Sequence, residues 1–199
     1  REFLDSYPGV QLEFVLSDGM ADVIGEGIDV AFRGSAELPD SSLVARKLAV
    51  GYLALAASPA YLAARGTPRT VEDLATHDCI RAVSSGATPS VQTTWRLQGP
   101  DGPVQIAVSG RFGANTGPAL KEAAVGGLGI CLLPYGSLQD SIRSGTLVQV
   151  LPGVASSVGN LYVVYPSRRH VPRAVTAFVE MTVQRLSALM GATPERPAP

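Results

Sequence analysis

The stretch from Val10 to Phe32, VQLEFVLSDGMADVIGEGIDVAF, decides the class of fold. Val10, Leu12, Phe14 and Leu16 alternate with Gln11, Glu13 and Val15, the two-residue period of a strand with one face buried. Ser17, Asp18 and Gly19 then turn the chain. Ala21 to Glu26 turns Val23 and Ile24 to one side and meets Gly27, the expected left-handed stop of a helix. Ile28 to Phe32 is a second apolar run. Strand, helix, strand in so short a span is the unit from which parallel sheets are built, so the expected class is α/β.

On the N-terminal side, Arg1 to Tyr7 reads as the end of a helix stopped by Pro8 and Gly9, which predicts that the chain begins within a fold. On the other side, a polar loop from Arg33 to Ser42 feeds Leu43 to Ala57. Fifteen extended residues would span roughly 50 Å, too long for one small sheet, which predicts a break near Gly51. Ser58 and Pro59 then cap and open a helix that Gly66 ends, and Val71 to Ala75 forms a further helical turn. A second cycle holds an apolar run from Cys79 to Val83 and a hairpin with arms Thr94 to Leu97 and Val104 to Val108, turned by Gly99-Pro100-Asp101-Gly102. Strand residues around Phe112, a helix from Thr116 to Val125 and a strand from Ile130 to Leu133 complete it. Shorter elements at Leu138 to Ile142 and Thr146 to Leu151 precede an apolar strand, Leu161 to Tyr165. The last helix, about Pro172 to Met190, carries an apolar stripe of Val175, Phe178, Val179, Leu186 and Leu189. This pattern predicts two lobes: residues 1–54 with 166–199, and residues 55–165, linked by two crossover strands with a cleft between them.

The 199 residues are 46% apolar and 17% charged, enough for a buried core and unlike a disordered tail. With 16 basic against 17 acidic residues, the net charge of -1 gives no electrostatic footprint for nucleic acid within these residues. Cys79 and Cys131 have no ligand-spaced companions; they read as small buried hydrophobes and fit a reducing, cytoplasmic setting. Neither a metal nor a cofactor is implied. No apolar run approaches the roughly 18 residues of a membrane helix, and no export signal is visible. His77 and His170 stand in polar surroundings, which predicts surface positions. Gly126-Gly-Leu-Gly129 looks like a nucleotide loop but follows a helix and precedes a strand, the reverse of the order that aims N–H groups at phosphate. Neither a nucleophile elbow nor a metal-binding carboxylate pair appears, so an enzyme is not expected.

Several segments together resemble the effector-sensing domain of LysR-type transcriptional regulators, whose fold is that of type 2 periplasmic binding proteins. They are Phe3-Leu-Asp-Ser-Tyr-Pro-Gly-Val-Gln-Leu-Glu-Phe, Glu26-Gly-Ile-Asp-Val-Ala-Phe-Arg, Leu38-Pro-Asp-Ser-Ser-Leu-Val-Ala-Arg-Lys-Leu, Ala57-Ser-Pro-Ala-Tyr-Leu and Ala123-Ala-Val-Gly-Gly-Leu-Gly-Ile, with Leu161-Tyr-Val-Val-Tyr-Pro-Ser-Arg as the returning crossover. The resemblance implies two Rossmann-like lobes, a first strand preceding Arg1, and, ahead of that, a winged helix-turn-helix domain that would carry DNA binding. It also implies a small, often anionic effector, a homodimer, and a tetramer in the full-length protein. In the dimer, the first helix would lie against the partner's helix Thr116 to Val125, with Ala119, Leu120, Ala123 and Ala124 able to make the contact or to face their own sheet. A solute-binding protein of a transport system shares the fold and is the alternative.

In open α/β lobes ligands gather at the carboxyl ends of strands, beside helix N-termini. That rule selects Ser17, Asp18 and Gly19, then Arg33 and Gly34, then Ser58, and in the second lobe Asn115 and Thr116. Each has a plainer reading. Ser17, Asp18, Ser58, Asn115 and Thr116 can serve as helix caps, and Arg33 can pair with a local carboxylate.

Overall fold

The structure is a computed structural model and describes residues 1–16, 22–35, 43–84, 90–99, 102–154, 156–166 and 171–190. By its own contacts the chain divides into two compact units, Arg1–Val50 with Gly159–Glu195, and Gly51–Val158.

In the first unit, helix α1 (Glu2–Ser6) buries Phe3 and ends at Tyr7, whose N–H reaches the Phe3 carbonyl. Strand β1 (Ala31–Ser35) pairs antiparallel with β9 (Ser156–Pro166), Ala31 opposite Val164 and Arg33 opposite Tyr162. Helix α5 (Arg173–Met190) places Val175, Val179, Val183 and Leu186 in a core with Leu48 and Val163, the spacing of one helix face. Phe178 leaves that stripe and packs edge-on against Phe3, ring centroids 5.1 Å apart.

Three expectations fail in this unit. Val10 to Leu16 has strand periodicity but forms no strand, and Phe14, Val15 and Leu16 are 66%, 80% and 92% exposed. Alternation makes a strand only when a ladder partner takes its N–H and C=O groups, and no described strand does so. The helix expected from Ala21 to Glu26 is a single turn closed by a reciprocal cap. Asp22 Oδ1 accepts from Ile24 and Gly25 N–H, while Glu26 Oε1 accepts from Asp22 N–H. Gly27 does stop it, at φ 69°. The following strand lies three residues later than its apolar run suggests and pairs antiparallel.

Strand β2 (Leu43–Ala57) is unbroken through Gly51, although the division between the units falls at Val50 and Gly51. The length argument assumed one sheet would have to accommodate all fifteen residues, whereas β2 gives its two halves to different units.

The second unit is layered. The later half of β2 pairs antiparallel with β7 (Cys131–Pro134) and with β8 (Val148–Val150). β3 (Arg81–Ala82) runs parallel to β6 (Gly113–Ala114), and Cys79 bridges Ile130 in parallel on its other side. Helix α3 (Gly117–Val125) makes that crossover, the expected strand, helix, strand unit. Neighbouring residues of one strand point to opposite faces. Ala54, Ala56, Ile80 and Cys131 therefore join Leu120 and Ala124 of α3 and Leu138 of α4 (Tyr135–Arg143). Leu55, Ala57, Cys79 and Ile130 face the other way. They meet α2 (Pro59–Arg65), the 3-10 turn Glu72–Thr76, and the hairpin β4 (Thr94–Gly99) and β5 (Gly102–Ala107), with Trp95 at the centre. Each fully buried aliphatic side chain here stabilises the unit by about 1.5–3 kcal/mol.

Candidate functional site

Ser17, Asp18 and Gly19 lie outside the described residues, as does His170. Arg33 and Gly34 sit within β1, not in a loop after it, because the strand starts late. Arg33 is half-buried, and a side chain at Gly34 would meet open space.

Ser58 is the N-cap of α2: extended at φ -71° and ψ 150°, it accepts the Tyr61 N–H on Oγ at 3.2 Å, with Pro59 in the first turn. It is 3% exposed. Its Oγ would sit 3.5 Å from a Cβ on Gly127, just past the C-terminus of α3. Thr116 precedes the N-terminus of that same helix. Nine helical residues at about 1.5 Å each put roughly 13 Å between those ends, so Ser58 and Thr116 are not neighbours in one small-ligand site.

Asn115 and Thr116 are exposed and follow β6 directly. Thr116 takes the extended N-cap backbone, φ -131° and ψ 138°, yet its hydroxyl makes no capping bond. Its carbonyl accepts the Leu120 N–H at 3.2 Å. The N–H groups of Gly117 and Ala119 in the first turn are thus left without helical acceptors, and Pro118 has none to offer. An exposed hydroxyl beside the positive end of a helix is a place where an anion can be held.

His77, expected at the surface, is interior. His77 is 8% exposed, and its Nδ1 is 3.1 Å from the Tyr61 hydroxyl, which also accepts the Asp78 N–H at 2.9 Å. Burial raises the Tyr61 pKa above its ordinary value. The Asp78 carboxylate takes Arg65 Nη2 at 3.0 Å and Arg111 Nε at 3.7 Å. Single-sequence reading had no signal for this group, since its members stand in separate segments with no motif spacing. Arg81 donates from Nη2 to the Gly110 carbonyl at 2.7 Å, and its Nε is buried without a partner among the described residues. No described group of three or more His, Cys, Asp or Glu side chains is placed to hold a metal ion, and no described helix is long and apolar enough to cross a membrane.

The mixed α/β architecture is that of a periplasmic-binding-protein-like regulatory domain, and the model of the LysR substrate binding domain matches residues 1–187. The chain belongs to that family. It is similar to the HTH-type transcriptional regulator DmlR of Escherichia coli K12, 34% identical over 181 residues that make up 91% of this chain and 56% of DmlR. Among solved structures it is similar to CrgA, a LysR-type transcriptional regulator from Neisseria meningitidis, at TM-score 0.80 and 30% identity, covering 93% of this chain and 61% of CrgA. The regulatory domain of CrgA taken alone gives TM-score 0.79 at 30% identity, with 93% of this chain and 88% of that one covered. The chain thus spans somewhat more than half the length of the full regulators it matches.

Proposed function

We propose that this chain is the effector-binding part of a LysR-type, DNA-binding transcriptional regulator, that it is not an enzyme, and that it works in the cytoplasm. A small metabolite is bound between its lobes, and the resulting shift is relayed to a DNA-binding domain outside these residues. The match over residues 1–187 carries this reading. A transport solute-binding protein is not favoured, since the relatives found are named as regulators.

The effector is anionic in this reading, with Asn115 and Thr116 meeting it at the first turn of α3. Ser17, Asp18, Gly19, Arg33 and Gly34 serve the other lobe, and Ser58 remains a helix cap. A ligand shifts the arrangement only by its difference in affinity for the two states, typically about 1–3 kcal/mol. A thermal-shift screen of small carboxylates and aromatic acids should give stabilising hits. Thr116→Ala should weaken them about tenfold while leaving the unliganded melting temperature within about 2 °C, because the hydroxyl makes no cap bond. Undiminished binding in that variant would remove Thr116 from the site.

The homodimer would pair α1 with the partner subunit's α3. Leu120, Ala123 and Ala124 are buried in their own unit, so in this reading the contact uses Leu4 on α1 with Tyr7 just after it, and Lys121 and Glu122 on α3. Sedimentation at micromolar concentration should show a dimer that a charge reversal at Glu122 weakens; a monomer in the parent protein would refute the pairing.

A further inference from the structure

A cavity of about 820 Å³ lies wholly within the second unit, bounded by the Thr67–Glu72 segment, the ends of the β4–β5 hairpin and the Leu151–Val154 turn. That size falls in the range of pockets for small organic molecules. None of Arg33, Ser58, Asn115 or Thr116 lines it. Its walls include Val71, Val104, Val150, Leu151 and Val154, which belong to or pack against the same apolar cluster as Trp95.

Two features separate this cavity from a simple surface dent. Leu151 has φ 48°, the one positive φ at a non-glycine among the described residues, and it precedes Pro152. Such a backbone is costly for a side-chain-bearing residue and is further restricted before proline. Here the Leu151 carbonyl accepts the Val154 N–H at 2.8 Å, and the side chain is held at the cavity wall, 8% exposed. In the Thr67–Glu72 segment, the Arg69 and Thr70 backbone N–H groups donate to Asp73 Oδ2 at 2.7 and 3.0 Å, which fixes the stretch that carries Arg69. The Arg69 guanidinium itself has no ion-pair or hydrogen-bond partner among the described residues. Glu72, three residues on, also lines the cavity.

We propose that this cavity is a second small-molecule site, taking an apolar monocarboxylic acid whose carboxylate pairs with Arg69 and whose hydrocarbon lies against Val71, Val104 and Leu151. Apolar walls favour a hydrocarbon body. A planar guanidinium matches one carboxylate in a charge-assisted pair. A second acidic group on the ligand would be repelled by Glu72, so singly charged acids are preferred to diacids. The site stands apart from the effector reading.

Calorimetric titration with naphthalene-1-acetate, and with its uncharged amide as control, tests this. The acid should bind one site per chain more tightly than the amide. Arg69→Ala, at an exposed position, should weaken the acid about tenfold and change the amide by less than twofold. Val104→Trp, which puts an indole where the hydrocarbon is placed, should weaken both, and Thr116→Ala should change neither. The proposal is overturned if the acid gives no heat at low millimolar concentration, if acid and amide bind alike to the parent protein, or if Arg69→Ala binds the acid undiminished. Should Val104→Trp fail to fold, the Arg69 comparison decides alone. Loss of acid binding in Thr116→Ala with retention in Arg69→Ala would place the acid in the effector site instead.

Discussion

Ser58 shows how much one hydroxyl can do: it satisfies the Tyr61 N–H at a position buried from solvent. Ser58→Ala should cost about 1–2 kcal/mol in urea unfolding, the upper half of the range for cap removal, because the site is buried. Tyr61→Phe should cost about 1–3 kcal/mol by the same measurement, since it strips the Asp78 N–H of its acceptor and His77 of its partner together. The two thiols give a pH signature. Burial pushes Cys79 and Cys131 from their ordinary value of 9.0 up to about 12. Below pH 9 both states hold the protons and nothing changes. Between pH 9 and 12 the unfolded thiols ionise while the folded ones do not, so their contribution to stability falls as pH rises. At pH 8 the native protein should react slowly with a thiol reagent and rapidly once unfolded; fast native labelling would contradict the burial. The two sulfurs lie in clusters on opposite sides of the sheet, so oxidation should not join them within one chain.

Among the elements, the segment Asp78–Ile80 is set by two glycines. A Cβ on Gly129 would come within 2.1 Å of the Asp78 carbonyl oxygen, and one on Gly110 within 2.1 Å of the Cys79 carbonyl oxygen. Backbone passes closely on both sides, which only glycine permits. The Gly126-Gly-Leu-Gly129 run therefore serves packing, as its position between helix and strand suggests. Gly129→Ala should destabilise by more than about 2 kcal/mol and remove slow amide exchange at Ile80, whose N–H reaches the Ile130 carbonyl at 2.8 Å. A neutral substitution would show that the strand can shift aside. Elements with local signals were legible: α2 from Ser58, Pro59 and Gly66, the β4–β5 hairpin from its turn residues, and α5 from its stripe. Val10 to Leu16 was misread because its period is local whereas its pairing is not.

At the scale of the whole molecule, each unit has its own core: Trp95, Leu55 and Ile130 at one sheet face of Gly51–Val158, and Leu48, Val163 and Val179 in the other unit. The second unit is continuous in sequence, so a fragment of residues 51–158 should fold by itself. Denaturant unfolding followed by Trp95 emission should be cooperative, with a lower midpoint than in the whole chain; a broad, non-cooperative loss of signal would show that this core depends on the remaining residues. The first unit joins two distant segments and should not survive the same dissection.

The α/β class, the capped helix α2 and the hairpin follow from the sequence alone, because propensity, periodicity and capping act over a few neighbouring residues. The family was legible too, from several short segments in order, and the match over residues 1–187 bears it out. Tertiary structure alone decided that Val10 to Leu16 joins no described strand, that β2 runs through Gly51, and that His77 is buried on a tyrosine sixteen residues away. It also placed Ser58 and Thr116 by opposite ends of α3. These outcomes depend on which distant segment supplies a ladder partner, a wall or a hydrogen bond, and no local pattern carries that information.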